Sequence, residues 1–168
     1  MLFRSQAVGP GGIIQLNISG DLDGMSGVPE WIAAIEGAGI DMEQMPVDIV
    51  FPAMAQAIIA SDDTIAEHPE VVSGLVNAVL RAIRDIVEDP AQAAADYVEF
   101  VPQHADNLAG IEAIMRSYAT LIYPEGENQP LGTFDPERIR AVQDFYLESG
   151  IVQTAIPVED LYTTEFVK

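Results

Sequence analysis

Residues 61–101 read SDDTIAEHPEVVSGLVNAVLRAIRDIVEDPAQAAADYVEFV, and the apolar spacing inside this stretch decides how the chain folds. Val71, Val72, Leu75, Val76, Val79, Leu80, Ile83, Ile86 and Val87 recur at three- and four-residue steps, which places them on one face of an α-helix. Pro69 suits a first helical position, where a missing N–H costs nothing. Asp89 before Pro90 stops this helix and caps the next one. At ~1.5 Å per residue a helix from Pro69 to Glu88 is about 30 Å long. Its nine-residue face is expected to be core, so that Leu75→Asp should unfold the domain.

Short segments flank this helix. Upstream, Ile13 to Ile18 and Gly24 to Val28 are apolar runs of strand length, separated by turn chemistry at Asp21-Leu22-Asp23-Gly24. Pro29 opens a helix through Trp31, Ile32, Ala34 and Ile35, which Gly37 and Gly39 end. Val47 to Phe51 and Ala55 to Ala60 read as strands, the second almost wholly apolar and therefore central in a sheet. Downstream, Asp106 is expected to cap a helix bearing Leu108, Ile111, Ile114, Met115, Tyr118, Leu121 and Ile122. Residues 124–132, PEGENQPLG, are a loop by composition. Asp135-Pro136 starts a last long helix whose face is Ile139, Val142, Phe145 and Tyr146, ended by Gly150.

Composition narrows the functional classes. The 168 residues are 49% hydrophobic, enough to build a core, and carry 27 acidic against seven basic side chains for a formal charge of -20. Such a chain repels phosphate backbones and anionic lipid surfaces, which argues against nucleic acid and membrane-surface partners. It has no cysteine, hence no disulfide, thiolate zinc site or cysteine nucleophile. No apolar run reaches the ~20 residues of a membrane helix, and MLFRSQAVGPGG lacks the apolar centre of a signal peptide. Leu2-Phe3-Arg4-Ser5 is also what one frame of a common sequencing adapter encodes, so residues 1 to about 5 read as non-native and the frame as truncated.

Motifs for chemistry are few. His68 and His104 sit in no metal-binding pattern, and His68 reads as a helix-start residue before Pro69. Asp21 to Gly24 begins like a calcium loop but lacks the third ligand and closing glutamate. Gly9, Gly11 and Gly12 are followed by no Gly-Lys-Ser/Thr. Asp62-Asp63 and Glu159-Asp160 are adjacent acids that do not face each other on a helix, so they read as solvated helix starts. Asn17-Ile18-Ser19 matches a glycosylation acceptor, a pattern short enough to arise by chance. Trp31, the single tryptophan, follows a Gly/Ser/Pro turn, and Ser26 and Glu30 can converge with it on a cleft. A core tryptophan and a ligand-contacting one both fit.

Two phrases carry a family resemblance. ASDDTIAEHPEVVSGLVNAVLRAIRDIVEDPAQAA and LGTFDPERIRAVQDFYLESGIVQTAIPVEDLYTTEF resemble the C-terminal half of solute-binding proteins of bacterial ABC importers for nitrate, sulfonate, taurine and pyrimidine precursors. The matching residues are Asp63, Pro69, Asp89-Pro90, Asp135-Pro136, Glu137-Arg138, Gly150 and Leu161-Tyr162-Thr163, while Thr164 stands where the family has asparagine. SGDLDGMSGVPEW resembles the family segment that crosses between lobes beside the ligand cleft, with Gly24 in place of the usual alanine.

The resemblance implies an α/β, periplasmic-binding-protein-like II fold of two lobes closing on a small solute, here partial, with helices packed on an incomplete sheet. By it, residues 1–28 are the end of the second lobe with the hinge crossing, and residues 29–168 the C-terminal part of the first lobe. It assigns Ser26, Glu30 and Trp31 to ligand binding. It also implies a small-molecule solute and a membrane permease as partners, a periplasmic or extracytoplasmic location, and no cofactor, metal or covalent chemistry. Family members run to roughly twice this length, so an apolar surface should be exposed where the rest belongs, and these 168 residues should bind ligand weakly or not at all. Two other classes compete. The thiamine-pyrimidine synthases resemble the same fold but use a cysteine-rich motif and a histidine, and a small helical interaction domain leaves the strands at 47–60 unexplained.

Overall fold

The computed structural model describes residues 8–45, 56–123 and 129–168, whose regular structure is helical. The helices are α1 (Pro10–Ile18), α2 (Pro29–Gly37), α3 (Asp62–Glu67), α4 (Pro69–Glu88), α5 (Pro90–Phe100), α6 (Leu108–Leu121) and α7 (Pro136–Glu148), with 3-10 turns at Pro102–Asn107 and Val158–Asp160. The α4 boundaries are those expected from Pro69 and Asp89-Pro90. Asp89 Oδ1 accepts from the Ala91 and Gln92 amides at 3.1 and 3.0 Å, and Asp135 Oδ1 from Glu137 and Arg138 at 2.9 and 3.3 Å. Both aspartates thus satisfy N–H groups that a first helical turn leaves without partners. Ser61 does the same for α3 through the Thr64 amide.

The expected sheet is not found among the described residues, where Gln129 is an isolated bridge residue and no strand occurs. Ile13 to Ile18, of strand length by its apolar run, is the body of α1, because Pro10 opens a helix before it. Gly24 to Val28 and residues 56–60 have no regular structure, and Ile59 is 92% exposed. An apolar run becomes a strand only where a neighbour supplies its ladder hydrogen bonds. The expected strand at Val47 to Phe51, Ala55, residues 1–5 and the loop residues 124–128 lie outside the described residues. Asp106 does not cap α6; it lies inside the 3-10 turn, and Asn107 is the N-cap without a side-chain bond.

The chain divides into two compact units. Met1–Glu43 and Asp85–Tyr123 form one, in which α6 packs against α2 and α5, and α1 against α2. Ile35 of α2 and Ala94 of α5 are fully buried there. Gln44–Arg84 and Pro124–Lys168 form the other, whose buried residues include Val72, Leu80 and Val158. In this second unit the closing segment lies along α4: the Asn77 amide donates to the Phe166 carbonyl at 2.9 Å and accepts from the Lys168 amide at 3.2 Å. Phe134 and Tyr162 rings meet at 4.7 Å. Gly132, at φ +86, sits against Leu80, and a Cβ there would come within 2.8 Å of the leucine methyl.

The α4 face is only partly core. Val72 and Leu80 are buried, but Val71 and Leu75 are 59% and 53% exposed, and Val79 and Val87 are exposed as well. A nine-residue stripe is wider than one packed segment can cover: the side holding Val72, Leu80 and Asn77 meets the closing segment, while Val71, Leu75 and Val79 form the uncovered row. Leu75→Asp is therefore not a core disruption.

Candidate functional site

Pro29, buried at the first position of α2, fixes where the helix begins and hence where Glu30 and Trp31 point. Glu30 lies in the first turn, where a carboxylate is favoured by the helix dipole. Its Oε2 accepts a hydrogen bond of 2.7 Å from the Tyr118 hydroxyl of α6, eighty-eight residues away in sequence. Tyr123 completes the cluster, its ring 5.5 Å from that of Tyr118 and tilted by 33°. Burial, then the hydrogen bond and negative charge of Glu30, push the Tyr118 phenol up to about 12, with a smaller addition from Tyr123. Burial and the Glu30 charge raise Tyr123 as well. Both phenols therefore stay neutral, and Tyr118 is locked as a donor to a charged acceptor.

Trp31 is half-buried, and its ring lies on the backbone of Gly27, where an added Cβ would stand 2.7 Å from Cε3. Only glycine permits that approach. Ser26, beside it, is exposed and makes no side-chain hydrogen bond among the described residues. The three expected site residues thus fall in one short segment, with Glu30 anchored, Trp31 seated on the turn and Ser26 facing solvent. Tyr118 and Tyr123 were not singled out from sequence as part of this cluster. The available signal was a tyrosine on an otherwise apolar helix face, whose hydroxyl requires an acceptor when it is covered.

Other candidates are spent on structure. Asn17 is buried in α1 and its amide donates to the Ile13 carbonyl at 2.9 Å, which closes the glycosylation pattern. His104 pairs with the Tyr97 hydroxyl at 2.9 Å and stacks on its ring. Asp21 accepts from Ser19 Oγ at 2.7 Å, as a turn residue does. A cavity of about 320 Å³ in the second unit is lined mainly by Ile139, Val142, Tyr146, Val152, Ile156 and Leu161. Gln143 and Thr154 also line it, and the Gln143 amide is committed to both the carbonyl and the amide of Ile156. Among the described residues no group of three or more His, Asp or Glu could hold a metal ion, and no helix is long and apolar enough to cross a membrane.

The family profile described as NMT1/THI5 like matches residues 14–93, just under half of the chain, and the match takes in Ser26, Glu30 and Trp31. Residues 14–93 are thus similar to that family. The substrate-binding resemblance read from the sequence stands on this match. The chain is also 25% identical over 138 residues to the riboflavin-binding protein RibY of Chloroflexus aurantiacus, an alignment covering 79% of this chain and 38% of that protein. It therefore spans well under half the length of this curated relative. No solved structure matches the chain. The name of that relative is that of a binding protein.

Proposed function

We propose that this chain is part of a solute-binding protein that captures a small organic solute outside the cytoplasm and hands it to an ABC permease, without covalent chemistry. In this reading Ser26, Glu30 and Trp31 form one wall of the solute site, at the end of the second lobe and hinge crossing (residues 1–28) and the start of the first-lobe portion (residues 29–168). The observation that carries it is the anchored pair at the start of α2. A carboxylate oriented by Tyr118 and an indole resting on Gly27 present an acceptor and an aromatic surface from adjacent positions. Those are the two elements that recognise a planar solute bearing N–H or O–H donors. Nitrate, with no donor, suits such a wall poorly, whereas a pyrimidine-like or flavin-like ring suits it well, in line with the relative's name.

Riboflavin is the probe for this reading, followed by quenching of its own emission and by calorimetry. With much of the relative's length unrepresented, the 168-residue chain should bind weakly, with a dissociation constant of about 10 μM or higher, and Trp31→Ala and Glu30→Ala should each remove that binding. Equal affinity in the Trp31→Ala chain would place the site elsewhere.

A further inference from the structure

The cavity of about 320 Å³ in the second unit is built by α7 and the strap of chain that follows it. Ile139, Val142, Gln143 and Tyr146 recur at three- and four-residue steps and form one stripe of the helix. Beyond α7 the chain reverses through Gly150, at φ +68: the Ile151 amide donates to the Tyr146 carbonyl at 2.8 Å and the Gly150 amide to the Leu147 carbonyl at 3.0 Å. This is the Schellman closure of a helix end, and it fixes the strap at Tyr146. A second fixed point lies about one turn earlier on the helix, where Gln143 Oε1 accepts from the Ile156 amide at 2.8 Å and Nε2 donates to the Ile156 carbonyl at 3.0 Å. Past it the 3-10 turn Val158–Asp160 packs on α7, with Val158 buried and the Leu161 amide bonded to the Val158 carbonyl at 3.1 Å. Residues 152–156 thus run back along α7 between two anchors, and hydrogen bonds at those anchors set the space they bridge.

The lining decides what such a space can take. Its apolar members come from both walls: Ile139 and Val142 from the helix, Val152, Ile156 and Leu161 from the chain beyond it. Gln143 has spent both ends of its amide on Ile156, and the polar capacity left over is the hydroxyls of Tyr146 and Thr154, which have no hydrogen-bond partner among the described residues. No lining residue among the described ones carries a charge, so an ion of either sign would give up hydration there without gaining a partner. The surroundings disfavour anions further, since Glu137, Asp144, Glu148, Glu159 and Asp160 outnumber Arg138 and Arg140 over α7 and the strap, and Arg138 is paired with Asp135. The volume lies at the low end of the ~300–1,000 Å³ of small-molecule sites. One turn of a partner's helix, about 10 Å across and ~5.4 Å long, already needs more than that.

We propose that this cavity is a binding site, separate from the Ser26 to Trp31 segment, for a small uncharged amphiphile: an apolar ring or short alkyl chain bearing a hydroxyl. The apolar walls take the body of such a molecule, and Tyr146 and Thr154 offer its hydroxyl a partner. The test is fluorescence titration of the 168-residue chain with N-phenyl-1-naphthylamine, an uncharged probe whose emission rises in apolar surroundings, followed by displacement with 1-octanol and with octanoate at neutral pH. The probe should bind saturably at one molecule per chain, and octanol should displace it at a concentration roughly tenfold or more below that of octanoate. Val142→Phe on the helix and Val152→Phe on the strap fill the cavity from opposite walls, and each should weaken the probe roughly tenfold or more with far-UV circular dichroism unchanged. Leu75→Phe, which adds a ring at an exposed site outside the cavity, should leave the affinity as it was. Undiminished binding in both filled chains, or octanoate as effective as octanol, would overturn the proposal. So would one probe per two chains, which assigns the face to a second copy.

Discussion

Replacing Glu30 by Gln keeps the shape of the candidate site and removes its charge. In the native chain the Tyr118 hydroxyl donates to Glu30 Oε2 at 2.7 Å, and its pKa stands at about 12 against an ordinary 10.0. Each pKa unit corresponds to ~1.4 kcal/mol of preference for the neutral phenol, so the two units are an upper bound near ~3 kcal/mol. Tyr118 is partly open to solvent, which screens the charge, and about 1 kcal/mol is the part to assign to the bond with Glu30. Burial, the largest cause of the shift, survives the substitution, whereas the bond to a charged acceptor and the field of Glu30 do not. Tyr118 should therefore titrate lower than in the native chain but still above 10.0, and Tyr123 should fall with it. Because the folded pKa is raised, the stabilisation is fully present below pH 10.0 and is lost as pH rises through about 12. Glu30→Gln should lower stability by about 1 kcal/mol at neutral pH and flatten its decline in alkali. Tyrosine ζ-carbon NMR against pH, with Tyr118→Phe to assign the signal among five tyrosines, reads the shift directly. An identical Tyr118 titration in native and Glu30→Gln chains would refute the account.

Leu80→Ala should cost about 2–4 kcal/mol in urea denaturation, since Leu80 is 4% exposed and packs on Gly132. Leu75→Asp, at a 53% exposed site on the same helix, should change stability by no more than about 1 kcal/mol. Asp135→Ala should cost about 1 kcal/mol by freeing the Glu137 and Arg138 amides, and Asp135→Ser should recover most of it in the same assay. Gly27→Ala should shift the emission of the single tryptophan, because the new methyl displaces the Trp31 ring, while far-UV circular dichroism stays as it was.

The helices were legible because their signals are local. Pro29, Pro69, Pro90 and Pro136 each open a helix as expected, and Gly39 and Gly150 follow helix ends with positive φ. Each of these features depends only on residues within one turn. The Asp106 reading failed because the chain interposes a 3-10 turn between Pro102 and Asn107, which moves the cap by one residue. The strand readings failed for a different reason. Apolar runs at residues 13–18 and 56–60 have the composition of strands, but a strand exists only through its neighbour, and no spacing within one run reports that.

The candidate site was legible to the same depth and no further. Ser26, Glu30 and Trp31 lie within six positions, so a turn followed by a helix start was enough to group them. Tyr118 belongs to the cluster through a contact that spans eighty-eight residues, and it was counted as one more apolar residue on its helix. The nine apolar residues of α4 show the same limit from the other side: helical periodicity put them on one face, yet packing buries Val72 and Leu80 and leaves Val71 and Leu75 open. Periodicity states which side chains point the same way; what meets them is set by distant segments such as Gly132 and Phe166 to Lys168.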